Sequence, residues 1–139
     1  MTATERFAWT LRVYWEDTDA GGLVFYANHL KFFERARTEW LRSLGFSQER
    51  LRSEQTCMFI VTDTALRYLR PARLDDLLTI TVGVRDAGRA SMALLQQAWR
   101  PHIGPGAELI SECTIRIACV HTLTLRPRRI PADILEAIA

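Results

Sequence analysis

Residues 7–45 read FAWTLRVYWEDTDAGGLVFYANHLKFFERARTEWLRSLG, and a change of period inside them decides the architecture. Phe7, Trp9, Leu11, Val13 and Trp15 place large apolar groups at every second position, which predicts a half-buried strand over 7–15. Residues 16–22 break the alternation with acidic side chains and then two glycines, so a loop follows, in which Gly21 and Gly22 can take backbone angles closed to other residues. From Asn28 the period becomes helical: Leu30, Phe33, Ala36 or Arg37, Trp40, Leu41 and Leu44 share one face. Asn28 is the expected N-cap and Gly45 the expected C-terminal stop. Lys31, Arg35, Thr38, Glu39 and Arg42 form the expected solvated strip, with Arg35 and Glu39 at i,i+4.

Beyond the helix, a polar stretch at 48–55 separates it from four strand-like runs at 58–69, 77–86, 90–100 and 107–122. Pro71 and Asp75-Asp76 interrupt the first pair, Asp86-Ala87-Gly88 predicts a hairpin turn, and 101–106 a longer hairpin loop. Pro131 opens a short C-terminal helix running to Ala139. A strand, one long helix and then four strands joined by short antiparallel connections predict an α+β fold: a five-stranded antiparallel sheet around one long helix, in a single domain over 1–139. Doubly wound folds, which alternate strands and helices, are excluded, and no GxSxG nucleophile elbow occurs.

The chain has 139 residues, 48% hydrophobic and 24% charged, which fits one globular domain with a core of its own. A formal net charge of +2 argues against a general nucleic-acid or membrane-surface binder. Of 18 basic residues only Lys31 is lysine; the rest are arginines, whose planar fork suits phosphates and carboxylates. Cys57, Cys113 and Cys119 are odd in number and form no CxxC, so a disulfide framework is not expected; Cys113 and Cys119 share a strand face as small apolar groups. Residues 1–8 lack the apolar stretch of a signal peptide and no window approaches the length of a membrane span, so a cytoplasmic location is expected.

No GxGxxG, Walker motif or HExxH is present, and His29, His102 and His121 have no ligand spacing, so neither metal nor cofactor is expected. His29 is expected on the helix surface, His102 in a solvated loop and His121 in a structural role at a strand end. The concentrated signal is residues 16–28, EDTDAGGLVFYAN: three carboxylates in four positions, then glycines and aromatics, then a helix start. Such a stretch is either an acidic turn or a carboxylate held near the positive end of a helix. In the second case it can act as nucleophile or general base while backbone N–H groups stabilise an oxyanion.

Residues 17–28, then FERARTE at 33–39, then PARLDD at 71–76, resemble the 4-hydroxybenzoyl-CoA thioesterase family of hotdog-fold proteins, most closely its Tol-Pal-associated acyl-CoA thioesterase branch. The resemblance runs from about residue 12 to residue 129 and implies hydrolysis of an acyl-CoA thioester without metal or cofactor. It makes Asp19 the catalytic carboxylate and Asp17 a loop-shaping neighbour, and it places the backbone N–H that polarises the thioester carbonyl at Tyr26. The branch often has His where Tyr26 stands and Tyr where His29 stands. A backbone donor survives that exchange, whereas any imidazole assistance there does not.

Further expectations follow from the resemblance. Phe25, Tyr26, Phe32, Phe33 and Phe59 lie either in the core or along an acyl pocket, and Phe25 and Asn28 are taken as substrate-contacting. The CoA phosphates call for arginines, either Arg67, Arg70 and Arg73 or the cluster Arg126, Arg128 and Arg129, of which Arg128 and Arg129 are preferred. Edge-to-edge homodimers, often paired into homotetramers, are implied, with sites at the dimer interface. An acyl carrier protein as alternative carrier, an adaptor role in envelope lipid metabolism, and a hotdog dehydratase using His29 as base are the competing functions.

Overall fold

The computed structural model describes residues 7–102 and 104–139. Residues 1–6, which hold most of the segment read for a signal peptide, and Ile103, in the expected 101–106 loop, lie outside it.

Strand β1, Phe7–Arg12, is shorter than the alternation predicts. The chain leaves the sheet and makes one 3-10 turn at Trp15–Asp17. Asp17 accepts the Tyr14 N–H at 2.9 Å, so a side chain captures a donor that a longer strand would place in the ladder. Trp15 consequently stands 77% exposed and not on the buried face.

Helix α1, Asn28–Ser43, buries Phe32, Phe33, Ala36, Trp40 and Leu41. Phe32 and Phe33 thus belong to the core, each contributing about 2–3 kcal/mol of apolar burial. The capping position is Ala27, with no side-chain bond, and Asn28 is the first helical residue, its amide engaged elsewhere. The C-terminus closes as expected at Gly45, whose φ is +95°. Gly45 N–H donates to Arg42 at 3.0 Å and Phe46 N–H to Leu41 at 2.9 Å, the paired bonds of a Schellman ending. On the solvated side Glu39 pairs with Arg42, one turn C-terminal, and not with Arg35.

The polar stretch proves to be a second helix, α2, Gln48–Gln55. Ser47 caps it by accepting the Arg50 N–H, and Arg50–Glu54 and Arg52–Glu49 pairs line its surface. Only Leu51 is buried along it, so no apolar period betrays it in the sequence.

The remaining strands, β2 Cys57–Tyr68, β3 Leu77–Ala87, β4 Ser91–Arg100 and β5 Glu108–His121, fall within about a residue of their expected bounds. They form one antiparallel sheet in the order β1-β3-β4-β5-β2, leaving β1 and β2 as its edges. Helix α1 leads from one edge strand to the other, and the sheet face against it carries Leu78, Ile80, Met92, Leu94, Ile115 and Ile117. This is the five-stranded hotdog arrangement. A short helix α3, Ala132–Ile138, with Pro131 at its cap, adds the buried Ile134.

Two features mark the core. Arg37 is buried and donates to Gln96 Oε1 at 2.9 Å, while Gln96 donates to the Phe33 carbonyl at 2.9 Å. The three cysteines are free and buried, and burial pushes the Cys113 thiol up to about 11 and that of Cys119 to about 12, which keeps both protonated and unreactive.

Candidate active site

Two of the three motifs meet in space. The 17–28 loop lies along the 71–76 segment through Val24 N–H to Ala72 O at 2.8 Å, Leu74 N–H to Gly22 O at 3.0 Å and a Leu23–Arg73 bridge. The base of the loop is tied the same way, by Val13 N–H to Asp76 O and Asp75 N–H to Val13 O. The third motif forms the middle of α1, whose first turn continues the loop.

Asp17 shapes the loop. It is buried, and Oδ1 accepts the Asn28 side-chain amide at 3.0 Å while Oδ2 accepts the Tyr14 N–H. Asn28 is therefore a strut between loop and helix: buried, facing Asp17, and not the cap. Asp19 differs on both counts. It is exposed, and among the described residues Oδ1 alone is engaged, accepting Gly21 N–H at 2.9 Å and Leu23 N–H at 3.3 Å. Those contacts orient the carboxylate and leave Oδ2 open. Gly22 makes the turn possible with φ +79°, a conformation that a side chain strains. At Gly21 an added Cβ would stand 3.3 Å from Asp19 Oδ1.

On the other arm of the loop the backbone is pinned at Phe25, whose N–H donates to Asp17 O at 2.9 Å, and at Asn28, whose N–H donates to Phe25 O at 2.8 Å. Between them, neither Tyr26 N–H nor Ala27 N–H finds an acceptor among the described residues. Both donors sit at the positive end of α1. The Tyr26 carbonyl accepts the Tyr68 hydroxyl at 2.7 Å, a contact that nothing in the local sequence announces. The rings of Phe25 and Tyr26 pack 4.8 Å apart on the surface, 44% and 66% exposed.

His29 departs from expectation. It is buried, with Nδ1 2.9 Å from Ser111 Oγ and its ring edge-on to Tyr68 at 5.0 Å. Burial lowers its pKa to about 4, so the ring is neutral at ordinary pH. Its spacing three and four residues before Phe32 and Phe33 places it on the inner helix face, and the alternation of β5 carries Ser111 to that face; these are the signals that could have found the pair. His121 is structural, accepting Leu123 N–H at 3.1 Å, and His102 contacts Glu108.

The two arginine clusters lie apart: Arg73 of the first is bridged to Leu23 of the loop itself, whereas the second sits at the other end of β2. Arg128 donates to the Gln55 carbonyl and, at 2.5 Å, to Thr56 Oγ1, at the start of β2; Arg129 beside it is exposed. Tyr68, which joins the Asp19 loop, ends the same strand, some 11 residue steps or about 36 Å away. One chain therefore does not bring Arg128 and Arg129 to Asp19. Arg70 of the other cluster is used internally, donating to Leu109 O at 2.9 Å. A cavity of about 490 Å³ opens between α1 and β2, with Leu30, Trp40, Phe59, Val61 and Arg37 among its walls. Among the described residues no three His, Cys, Asp or Glu side chains converge as a metal set, and no helix is long and apolar enough to cross a membrane.

A model of the thioesterase-like superfamily matches residues 13–138. An acyl-CoA thioesterase YbgC of Haemophilus influenzae is 40% identical over 131 residues, 94% of this chain and 93% of its own. An acyl-CoA thioester hydrolase YbgC of Escherichia coli is 39% identical over 95% of both chains. Among solved structures, a probable thioesterase from Bartonella henselae superposes with a TM-score of 0.84 at 31% identity, over 91% of this chain and 99% of that one. A 4-hydroxybenzoyl-CoA thioesterase of Pseudomonas, 20% identical, shares the fold with a TM-score of 0.86 over 95% of this chain and 98% of that one. With a matched model over nearly its whole length and relatives near 40% identity, the chain belongs to the thioesterase-like superfamily.

Proposed function

We propose that the protein hydrolyses acyl-CoA thioesters, with Asp19 as nucleophile or general base and the Tyr26 N–H as donor to the thioester carbonyl. The observation that carries this is the pairing, on one loop, of a carboxylate held by one oxygen with a backbone N–H lacking an acceptor at the start of α1. The relatives named as acyl-CoA thioesterases support the same chemistry.

The Tyr26 N–H polarises the carbonyl, and stabilising the tetrahedral oxyanion by one such donor is worth about 2.7–4 kcal/mol. Either Asp19 attacks the carbonyl carbon, expelling CoA thiolate and leaving a mixed anhydride that water opens, or it takes a proton from a water that attacks directly. Both routes yield the free acid and CoA. The thiolate is a good leaving group, so no strong general acid is needed. Asp17 and Asn28 hold the loop beneath Asp19, and Phe25 with Tyr26 offers an apolar wall beside it.

Strand β2 is an open edge, with Val61 and Tyr68 about half exposed. Two copies joined antiparallel along β2 lay the Cys57 end of one strand beside the Tyr68 end of the other. Arg128 and Arg129 of one subunit then approach the Asp19 loop of its neighbour, where exposed Arg129 and the remaining N–H groups of Arg128 meet the CoA phosphates. The active unit is on this reading a homodimer or a homotetramer of such pairs.

The test is thiol release from short, long, branched and aromatic acyl-CoAs, with the same acyl groups on acyl carrier protein in parallel, by the native protein and by Asp19→Asn. Native turnover with at least a hundredfold loss in the folded variant is expected. Absence of turnover throughout, or equal turnover by the variant, would overturn the assignment.

A further inference from the structure

We propose that Tyr68 is a positioning residue for this hydrolysis: its hydroxyl fixes the Tyr26–Ala27 peptide and thereby the aim of the N–H groups at the start of α1. The proposal rests on the assignment of Asp19 and Tyr26 above and adds to it a residue from a distant strand.

The geometry singles out Tyr26. Val24, Phe25 and Asn28 are each held by a backbone bond of 2.8–2.9 Å to Ala72, Asp17 and Phe25 respectively. Among the described residues Tyr26 has no such tie. In a regular helical start its carbonyl would accept the Leu30 N–H, but Leu30 donates to Ala27 O at 3.1 Å. The Tyr26 carbonyl is left to the Tyr68 hydroxyl, 2.7 Å away. Because a trans peptide points its N–H opposite to its C=O, holding the Tyr26 carbonyl toward Tyr68 turns the Ala27 N–H away from it. It also limits rotation at Tyr26, whose own N–H lies one Cα before that plane.

Tyr68 is itself held on its ring. It stands opposite Ser111 in the β2–β5 register, and Ser111 Oγ is 2.9 Å from His29 Nδ1. The His29 ring meets the Tyr68 ring edge-to-face at 5.0 Å and 89°. Strand β5 thus holds His29, His29 packs on the Tyr68 ring, and the Tyr68 hydroxyl reaches the loop. Burial lowers the His29 pKa to about 4, so near pH 7 this support is a neutral ring. A phenylalanine at 68 keeps the ring contact and removes one oxygen, which separates the positioning bond from the packing.

The experiment compares native protein, Tyr68→Phe and Asp19→Asn on the acyl-CoA that the native protein hydrolyses fastest, with kcat and KM measured separately, and Tm and elution volume recorded for each. For Tyr68→Phe we expect kcat to fall about tenfold or more, because donors preorganised for the oxyanion lose their aim, while KM, Tm and elution volume stay near native values. Native kcat in Tyr68→Phe, or a kcat loss accompanied by lower Tm or altered assembly, overturns the proposal. Turnover retained in Asp19→Asn instead overturns the site assignment beneath it, so the two failures are told apart.

Discussion

The Asn28 side-chain amide donates to Asp17 Oδ1 at 3.0 Å across a buried contact, tying the first residue of α1 to the loop that carries Asp19. A buried carboxylate therefore fixes the loop against the helix start. Asn28→Ala leaves one carboxylate oxygen of Asp17 buried without its donor, and we expect about 1–3 kcal/mol of lost stability by urea unfolding. Turnover should fall with it, since the same bond places Asp19. A double-mutant cycle with Asp17→Asn checks the coupling, and additive losses would contradict it.

Gly22 sits at φ +79° beside the Asp19 turn, where a Cβ meets no neighbour but the backbone itself is unfavourable for an L-residue. Gly22→Ala is expected to lose about 1–2 kcal/mol of stability through that strain, read as a lowered Tm. Gly21→Ala acts differently, since its Cβ would press on Asp19 Oδ1. It should lower kcat more than it lowers Tm, and the reverse order in the two variants would contradict this reading of the turn.

His29 links stability to pH. Its folded pKa of about 4 lies below the ordinary 6.5, so between those values the unfolded chain binds the extra proton. The stability that His29 contributes is complete above about pH 6.5 and is lost as pH falls toward 4, by about 3 kcal/mol in all. His29→Gln should flatten that portion of the stability curve in urea titrations from pH 7 to pH 4. An unchanged slope would show that another group carries it.

Arg37 and Gln96 form a buried pair of a charged donor and a neutral acceptor, 2.9 Å apart. Desolvation lowers the Arg37 pKa from its ordinary value, with Glu34 opposing. Gln96→Leu strands the guanidinium, and a loss of about 3 kcal/mol is expected. Adding Arg37→Met should recover part of that loss by removing the stranded charge; denaturation midpoints of the three variants measure it.

Local patterning made much of this protein legible. The alternation at residues 7–11, the helical spacing from Phe33 to Leu44 and the stop at Gly45 follow from the side-chain periods of strand and helix, and the sheet bounds follow from their turn residues. The acidic, glycine-rich loop was visible as chemistry because carboxylates, glycines and a helix start adjoin within 13 positions. Helix α2 was invisible for the converse reason, since a cap and ion pairs around a single buried leucine leave no period. Tertiary structure alone decided which groups of distant segments meet. Ser111, His29, Tyr68 and Tyr26 come from β5, α1, β2 and the loop, and Arg37 meets Gln96 across the core. No local spacing encodes such contacts, because they depend on the order in which the strands assemble and on the face that α1 turns toward them.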